Sequence, residues 1–296
     1  ICGRVCAHEK QCEAHCILAK KNAAISIGSL EMFIADFAHE YGLNPVPPST
    51  GKRGKVAVIG SGPAGLTVAG DLAKMDFAVT IFEGQPEPGG VLLFGIPEFR
   101  LEKEVVRREI NILRKLGVEI ITETLIGPDM NVDDLFEKGY DAIFMGTGTA
   151  LPRTLDIPGK DLSGILTATY FLRVVVLSDS GKLDKKEVLM HDNDDVVVIG
   201  AGNVAIDAAR TAIRRGAATV TVLYHKTLDE MSCLPSEYEA ALKEGVQFKF
   251  LKQPLGYLNK KQMRALTTTR TKPSPSDETE LAGLLVQNVV KDKEGK

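Results

Sequence analysis

Val56-Ala-Val-Ile-Gly60-Ser-Gly62-Pro63-Ala64-Gly65 decides how this chain is read, and Val196-Val-Val-Ile-Gly200-Ala-Gly202-Asn203-Val204-Ala205 repeats it. Each stretch is an apolar run followed by G-x-G-x-x-G/A and then a helical pattern, the context that gives this motif physical meaning. The first glycine permits the tight turn after a strand. The second lets backbone approach a pyrophosphate, and the third small residue lets helix and strand pack closely. The helix N-terminus then faces the anion. Two such units in one chain point to two dinucleotide sites.

The pattern extends outward from both motifs. Lys55–Ile59 is expected as a buried strand, Ala64–Lys74 as a helix and Ala78–Phe82 as the next strand. Leu101–Leu116 reads as a charged amphipathic helix, before strands at Glu119–Thr122 and Asp141–Met145. The second unit offers strand Asp195–Ile199, helix Val204–Arg215 and strand Thr219–Leu223. Strand–helix alternation argues an α/β fold of two Rossmann-like domains with parallel sheets. The expected division is a helical, cysteine-rich segment over 1–43, a linker over 44–54, and domains over 55–155 and 156–296. Over 17–41 the helical period places Leu30, Phe33, Ile34 and Phe37 on one face. The closing thirty or so residues, rich in Thr, Lys and Pro, give no clear pattern.

Four of the five cysteines, Cys2, Cys6, Cys12 and Cys16, fall in the first sixteen residues; Cys233 stands apart as a structural or free thiol. Clustering of this kind favours metal ligation over disulfides. Thiolates suit zinc or iron–sulfur clusters. The C-x3-C-x5-C-x3-C spacing lacks the paired C-x2-C knuckles of structural zinc, which favours iron–sulfur over zinc or free thiols.

Composition bounds the remainder. The chain has 296 residues, 44% hydrophobic and 25% charged, enough for real cores. A net charge of −3 gives no electrostatic case for nucleic acid or an anionic membrane. No apolar run approaches the roughly 18 residues of a membrane span. A cytoplasmic location is expected. The opening Ile1 argues against a native start.

The strand ends separate the two sites. Thr80-Ile-Phe-Glu83 brings a carboxylate about twenty residues past the first glycines, where ribose hydroxyls can donate to it. The second unit ends Thr221-Val-Leu-Tyr224 and continues His225-Lys226, without a carboxylate at the strand end. This favours a 2′-phosphate, hence NADP over NAD, against the plain alternative of solvated surface charge.

Taken in order, Cys2-Gly-Arg-Val-Cys6…Cys12-Glu-Ala-His-Cys16, Gly60-Ser-Gly-Pro-Ala-Gly65, Gly89-Gly90…Gly95-Ile96-Pro97…Arg100-Leu101 and Gly200-Ala-Gly-Asn-Val-Ala-Ile-Asp207 resemble a known module. It is that of the NADPH-dependent glutamate synthase small (β) subunit. The large subunit of ferredoxin:NADP transhydrogenase and the N-terminal half of dihydropyrimidine dehydrogenase share it. The resemblance runs from residue 1 to about 250. It implies FAD on the first Rossmann unit, NADP(H) on a nested second unit, and [4Fe–4S] clusters in the N-terminal segment.

By position, the resemblance gives the FAD motif to Gly60, Gly62, Pro63, Ala64, Gly65 and Glu83. Gly90, Leu92, Gly95, Ile96 and Arg100 would lie along the flavin, and Gly146-Thr147-Gly148 would end a strand beside FAD. Gly200, Gly202, Asn203, Val204, Ala205 and Asp207 match the NADP motif. His225 and Lys226 stand where the family usually has two arginines, and neither has arginine's fork for phosphate. Cys6 and Cys12 would serve one cluster and Cys16 the other, sharing ligands with an earlier motif not found here. Cys2 would be a neighbouring thiol. Glu31 matches a position of an oxygen ligand; its plain alternative is a solvated helix carboxylate.

The family's Gly-Asp motif that returns to the flavin does not follow residue 71, so a fragment is expected, with an incomplete ligand set. The implied activity is hydride exchange between NAD(P)H and FAD, with single electrons passing to a second redox subunit, the glutamate synthase large subunit or a ferredoxin-type acceptor. Two other readings remain: the large subunit of an electron-bifurcating ferredoxin:NAD(P) oxidoreductase, and a redox or dinucleotide sensor without turnover.

Overall fold

Strands β1 (Lys55–Ile59) and β2 (Ala78–Phe82) are almost wholly buried, as continuous apolar runs in parallel sheets are. The structure, a computed structural model, describes residues 1–43, 47–149, 151–152, 154–266 and 278–289. It divides into two units, Ile1–Ala150 and Leu151–Lys296.

In the first unit, α1 (Cys2–Val5) and α2 (Ile27–Glu40) precede β1. Then come α3 (Pro63–Lys74), β2, α4 (Val91–Phe94), α5 (Lys103–Lys115), β3 (Glu119–Ile121), α6 (Val132–Glu137) and β4 (Ala142–Met145). The sheet order is β3-β2-β1-β4, all parallel. The chain therefore winds to one side of β1 through β2 and β3, and returns to the other side at β4. That change of direction makes the C-terminal end of β1 the switch point, where open α/β sheets bind ligands. Register fixes what lies there: Ile59 pairs with Phe82 and with Met145, so Gly60, Glu83 and Gly146 each follow the same edge. The core joins Val58 and Ile81 to Ala69 of α3 and to Val106 and Ile110 of α5.

In the second unit α7 (Ala168–Asp179) leads to β5 (Asp195–Ile199), α8 (Asn203–Arg214), β6 (Thr219–Leu223), α9 (Pro235–Lys243) and β7 (Gln247–Lys249). The sheet is β5-β6-β7, parallel, with Ile199, Leu223 and Lys249 in register. β8 (Lys252–Asn259) and β9 (Leu281–Asn288), with α10 (Lys260–Leu266) between them, form an antiparallel pair. Sequence pattern left this pairing unread. Pro254 and Gly256 flank a register shift that breaks the two-residue alternation of a strand.

Two features of the first unit lie outside what the pattern predicts. Leu30, Phe33, Ile34 and Phe37 do share a face of α2, but that face is exposed. Phe33, Phe37 and Tyr41 stack along it, with centroids 6.0 and 4.4 Å apart. Instead, α2 is anchored through Asp36, whose carboxylate accepts from Arg4 at 2.8 Å and from Arg108 of α5 at 3.2 Å. The described part of the linker is also tied down. Ser49 donates its N–H to Leu116 O and its hydroxyl to Phe77 O, while the Thr50 and Gly51 N–H groups donate to Asp76. Residues 44–46 lie outside the described residues.

Candidate nucleotide and cluster sites

Gly60 turns the chain off β1 at φ +92°, a backbone region that costs a residue with a β-carbon. A β-carbon there would also lie 2.6 Å from Gly146 O, so the two strand ends touch through bare backbone. Gly62 differs. Its φ of −70° is ordinary, and a β-carbon on it would meet nothing within 4 Å. The space above Gly62 is open, at the N-terminus of α3, where unpaired N–H groups and the helix dipole favour an anion. Pro63 and Ala64 are exposed beside it.

Glu83 lies at this edge, nearly buried. Its Oε2 accepts from Ser61 N at 3.0 Å and from the Ser61 hydroxyl, and its Oε1 accepts from Gln85 N at 2.8 Å. A carboxylate has about four acceptor sites, so these bonds orient Glu83 and leave room for a further donor. Gly90 (φ +52°) lies against Gly62, where a β-carbon would come within 2.7 Å of Gly62 Cα. Leu92 is packed in the core, and its N–H donates to Gly89 O while its carbonyl accepts from Lys103. Gly95, Ile96 and Arg100 are partly buried, and Thr147 and Gly148 exposed. Sequence reasoning passed over Ser61 and Lys103. Lys103 is 5% exposed and donates to Leu92 O at 3.0 Å and to Ile96 O.

The second site repeats the strand–glycine–helix order with different clearances. Gly200 (φ +109°) has nothing within 4 Å of a built β-carbon, whereas one on Gly202, which caps α8, would lie 3.3 Å from Ser232 Oγ. Asn203 Oδ1 is buried without a hydrogen-bond partner, an acceptor that a bound group could satisfy. Val204 is exposed, Ala205 partly buried, and Asp207 buried on the inner side of α8. His225 and Lys226 are both exposed past β6. Tyr224 is buried and donates its hydroxyl to Glu230 O at 2.8 Å.

At the N-terminus, burial and the adjacent Cys2 thiol push the Cys6 thiol up, with Glu31 and Cys12 adding to the effect. Backbone N–H groups of Ile25, Leu18 and Ala19 hold the Cys16 thiol below its usual value, since donors favour the thiolate that metals bind. Glu31 lies 3.8 Å from the His8 ring. Among the described residues no three Cys, His, Asp or Glu side chains converge as a metal-binding group. These residues alone do not fit a closed cluster site. The glycine loops, by contrast, fit FAD and a nicotinamide dinucleotide, through the open cradle at Gly62 and the buried acceptor of Asn203.

Fold and sites together define a protein with two dinucleotide-binding α/β units. Residues 54–286 match the family described as pyridine nucleotide-disulphide oxidoreductase, and the chain belongs to that family. Residues 1–43 match the family described as dihydropyrimidine dehydrogenase domain II, 4Fe-4S cluster. The chain is 39% identical to the glutamate synthase [NADPH] small chain of Halomonas elongata over 280 residues, 94% of this chain and 59% of that protein. It is 39% identical to the Escherichia coli small chain over 259 residues, 86% of this chain and 55% of that protein. It thus spans less than two thirds of these relatives. Among solved structures it is similar to Lactococcus lactis thioredoxin reductase, with a TM-score of 0.55 and 22% identity over 82% of this chain and 73% of that one, a likeness of fold. Among the described residues, no helix is long and apolar enough to cross a membrane.

Proposed function

We propose that this chain is the nucleotide-binding part of an NAD(P)H-dependent flavin oxidoreductase of the glutamate synthase small-chain type. The observation that carries this is the pair of glycine-lined loops, each following a strand of a parallel sheet, with bare space above Gly62. Bound there, FAD and a nicotinamide nucleotide supply hydride exchange, and the protein's task is to hold and orient them. In the first unit the α3 N-terminus receives the pyrophosphate and Glu83 accepts from the ribose. In the second the α8 N-terminus and Asn203 do the same, and Lys226 meets a 2′-phosphate. No acid–base pair is required.

The partner is a second redox subunit in the whole protein, as the relatives' name, small chain, suggests. Cys6, Cys12 and Cys16 serve [4Fe–4S] clusters only together with ligands beyond the described set. Glu31 takes part there if its carboxylate leaves His8. Location in the cytoplasm fits this reading.

The test is FAD reconstitution followed by anaerobic addition of NADPH, with bleaching of the flavin band expected. Glu83→Ala should weaken FAD retention about tenfold or more, since hydrogen bonds to charged groups are worth about 1.5–3 kcal/mol. Equal flavin occupancy in the variant would reject the assignment of Glu83.

A further inference from the structure

We infer that Ser61 and Lys103 are positioning residues that clasp segment 89–96 from both ends and present it, already shaped, to the flavin half of FAD. This rests on the first unit's being the FAD site. Ser61 is fully buried, and its hydroxyl has both roles filled. It donates to Glu83 Oε2 and accepts from Gly89 N at 2.9 Å. One side chain of the first glycine loop thereby fixes both the ribose-binding carboxylate and the start of the 89–96 segment. Gly90 follows, pressed onto Gly62.

At the far end the Lys103 ammonium sits behind the segment. α4 is a single turn, and the last carbonyls of any helix lack intrahelical partners. Lys103 Nζ donates to two carbonyls, Leu92 O within that turn and Ile96 O two residues past its end. Burial of an ammonium is tolerated only when its donors are satisfied, so segment and lysine depend on each other. Packing alone would be served by an apolar side chain, because Leu92, Leu93 and Phe94 already fill the core beneath. What the ammonium adds is a fixed backbone path from Gly90 to Ile96, the stretch that would run along the isoalloxazine ring.

The two ends differ in what they hold, and this gives the test. Apoprotein of the full chain is titrated with FAD, with ADP and with NADP+ in wild type, Lys103→Met and Ser61→Ala. Lys103→Met should raise the Kd for FAD about tenfold or more and leave ADP within about twofold, because Lys103 supports only the flavin side. Ser61→Ala should weaken FAD and ADP together, because Ser61 also orients Glu83. NADP+ binding should stay unchanged in both, reporting that the second unit is intact. If Lys103→Met fails to fold, the Ser61→Ala arm still decides, and Glu83→Gln should weaken ADP without adding to the loss in Ser61→Ala. Unchanged FAD affinity in either variant, or equal loss of FAD and ADP in Lys103→Met, would overturn the clasp. Wild-type protein that binds NADP+ but no FAD would overturn the functional reading itself.

Discussion

Gly65 packs directly on Gly60: a β-carbon built on Gly65 would stand 1.9 Å from the Gly60 carbonyl oxygen. The neighbouring Gly62, in the same motif, has open space instead. These two glycines therefore serve different ends. Gly65 is required by the fold, and Gly62 by whatever approaches it. Gly65→Ala should destabilise the first unit by about 1–3 kcal/mol, as overpacking against backbone does, visible as a lower Tm. Gly62→Ala should leave Tm within a few degrees and yet lose FAD retention, because the added methyl occupies the pyrophosphate space. Equal FAD binding by Gly62→Ala and wild type would contradict the cradle.

Asp36 ties α2 to Arg4 and to Arg108 of α5. Arg4 and then Arg108 beside it hold its carboxyl below the usual carboxylate range, against the opposing effect of burial. A carboxyl with a depressed folded value contributes stability above its unfolded value of about 3.9, and loses it as pH falls through the folded value. Attachment of α2 to α5 should thus be intact at pH 7 and weaken below about pH 4. Arg4 Nη1 and Arg108 Nε are buried without partners, so losing the carboxylate leaves two poorly satisfied guanidiniums. Asp36 is itself 39% exposed, and solvent screening lowers the expected cost of Asp36→Asn to about 1–2 kcal/mol. Hydrogen exchange of amides 27–40 at pH 7 and pH 3.5 would read this directly. Equal protection at both pH values, and in Asp36→Asn, would show that α2 is held by something else.

Much of this was legible from residues. β1, β2, β5 and β6 have the boundaries expected of short β-branched apolar runs set between helical patterns, where run length rather than period marks the strand. Burial was less legible, since β1 and β2 are buried and β5 is only partly so, with Val197 exposed. Orientation of α2 was not legible. Its Leu30-Phe33-Ile34-Phe37 stripe has the composition of a core face, and only the distant arginines Arg4 and Arg108 reveal which side attaches. Lys103 escaped for a related reason. A lysine in a charged amphipathic helix reads as solvated, and its burial depends on carbonyls that a glycine-rich turn leaves unpaired. Ser61 occupies a variable position of the motif, where spacing assigns no role.

Asp76 pins the end of the linker. It has φ +69° and accepts from Thr50 N at 2.6 Å, with the Thr50 and Ser49 hydroxyls and Gly51 N adding further bonds. The Thr50 N–H and hydroxyl hold its carboxyl below the ordinary range. Asp76→Ala removes these acceptors and places alanine in a left-handed conformation that aspartate tolerates better. Limited proteolysis should then cut near residues 49–51 several times faster than in wild type. Asp76→Asn keeps one acceptor oxygen and tolerance of that conformation, so it should fall between the two. Indistinguishable cleavage of all three proteins would mean that the backbone bond from Ser49 to Leu116 suffices.

Cofactor choice turns on the two exposed residues after β6. Tyr224 follows the strand and brings no carboxylate to repel a 2′-phosphate. Asp229 and Glu230 follow, but Glu230 folds back to accept from Thr227 N at 3.1 Å and from the Thr227 hydroxyl at 2.8 Å. Lys226 can then supply a positive charge, and His225 a second when protonated. Neither offers arginine's paired donors, so NADPH should be preferred over NADH only modestly. Lys226→Ala should raise the KM for NADPH severalfold and leave NADH nearly unchanged, because only NADPH carries the phosphate. Lys226→Arg should sharpen the preference. Since both side chains are exposed, added salt should erode the preference by screening. Steady-state kinetics with both nucleotides at low and high ionic strength would measure all three effects. An unmodified protein that uses NADH as well as NADPH would return His225 and Lys226 to the role of surface charge.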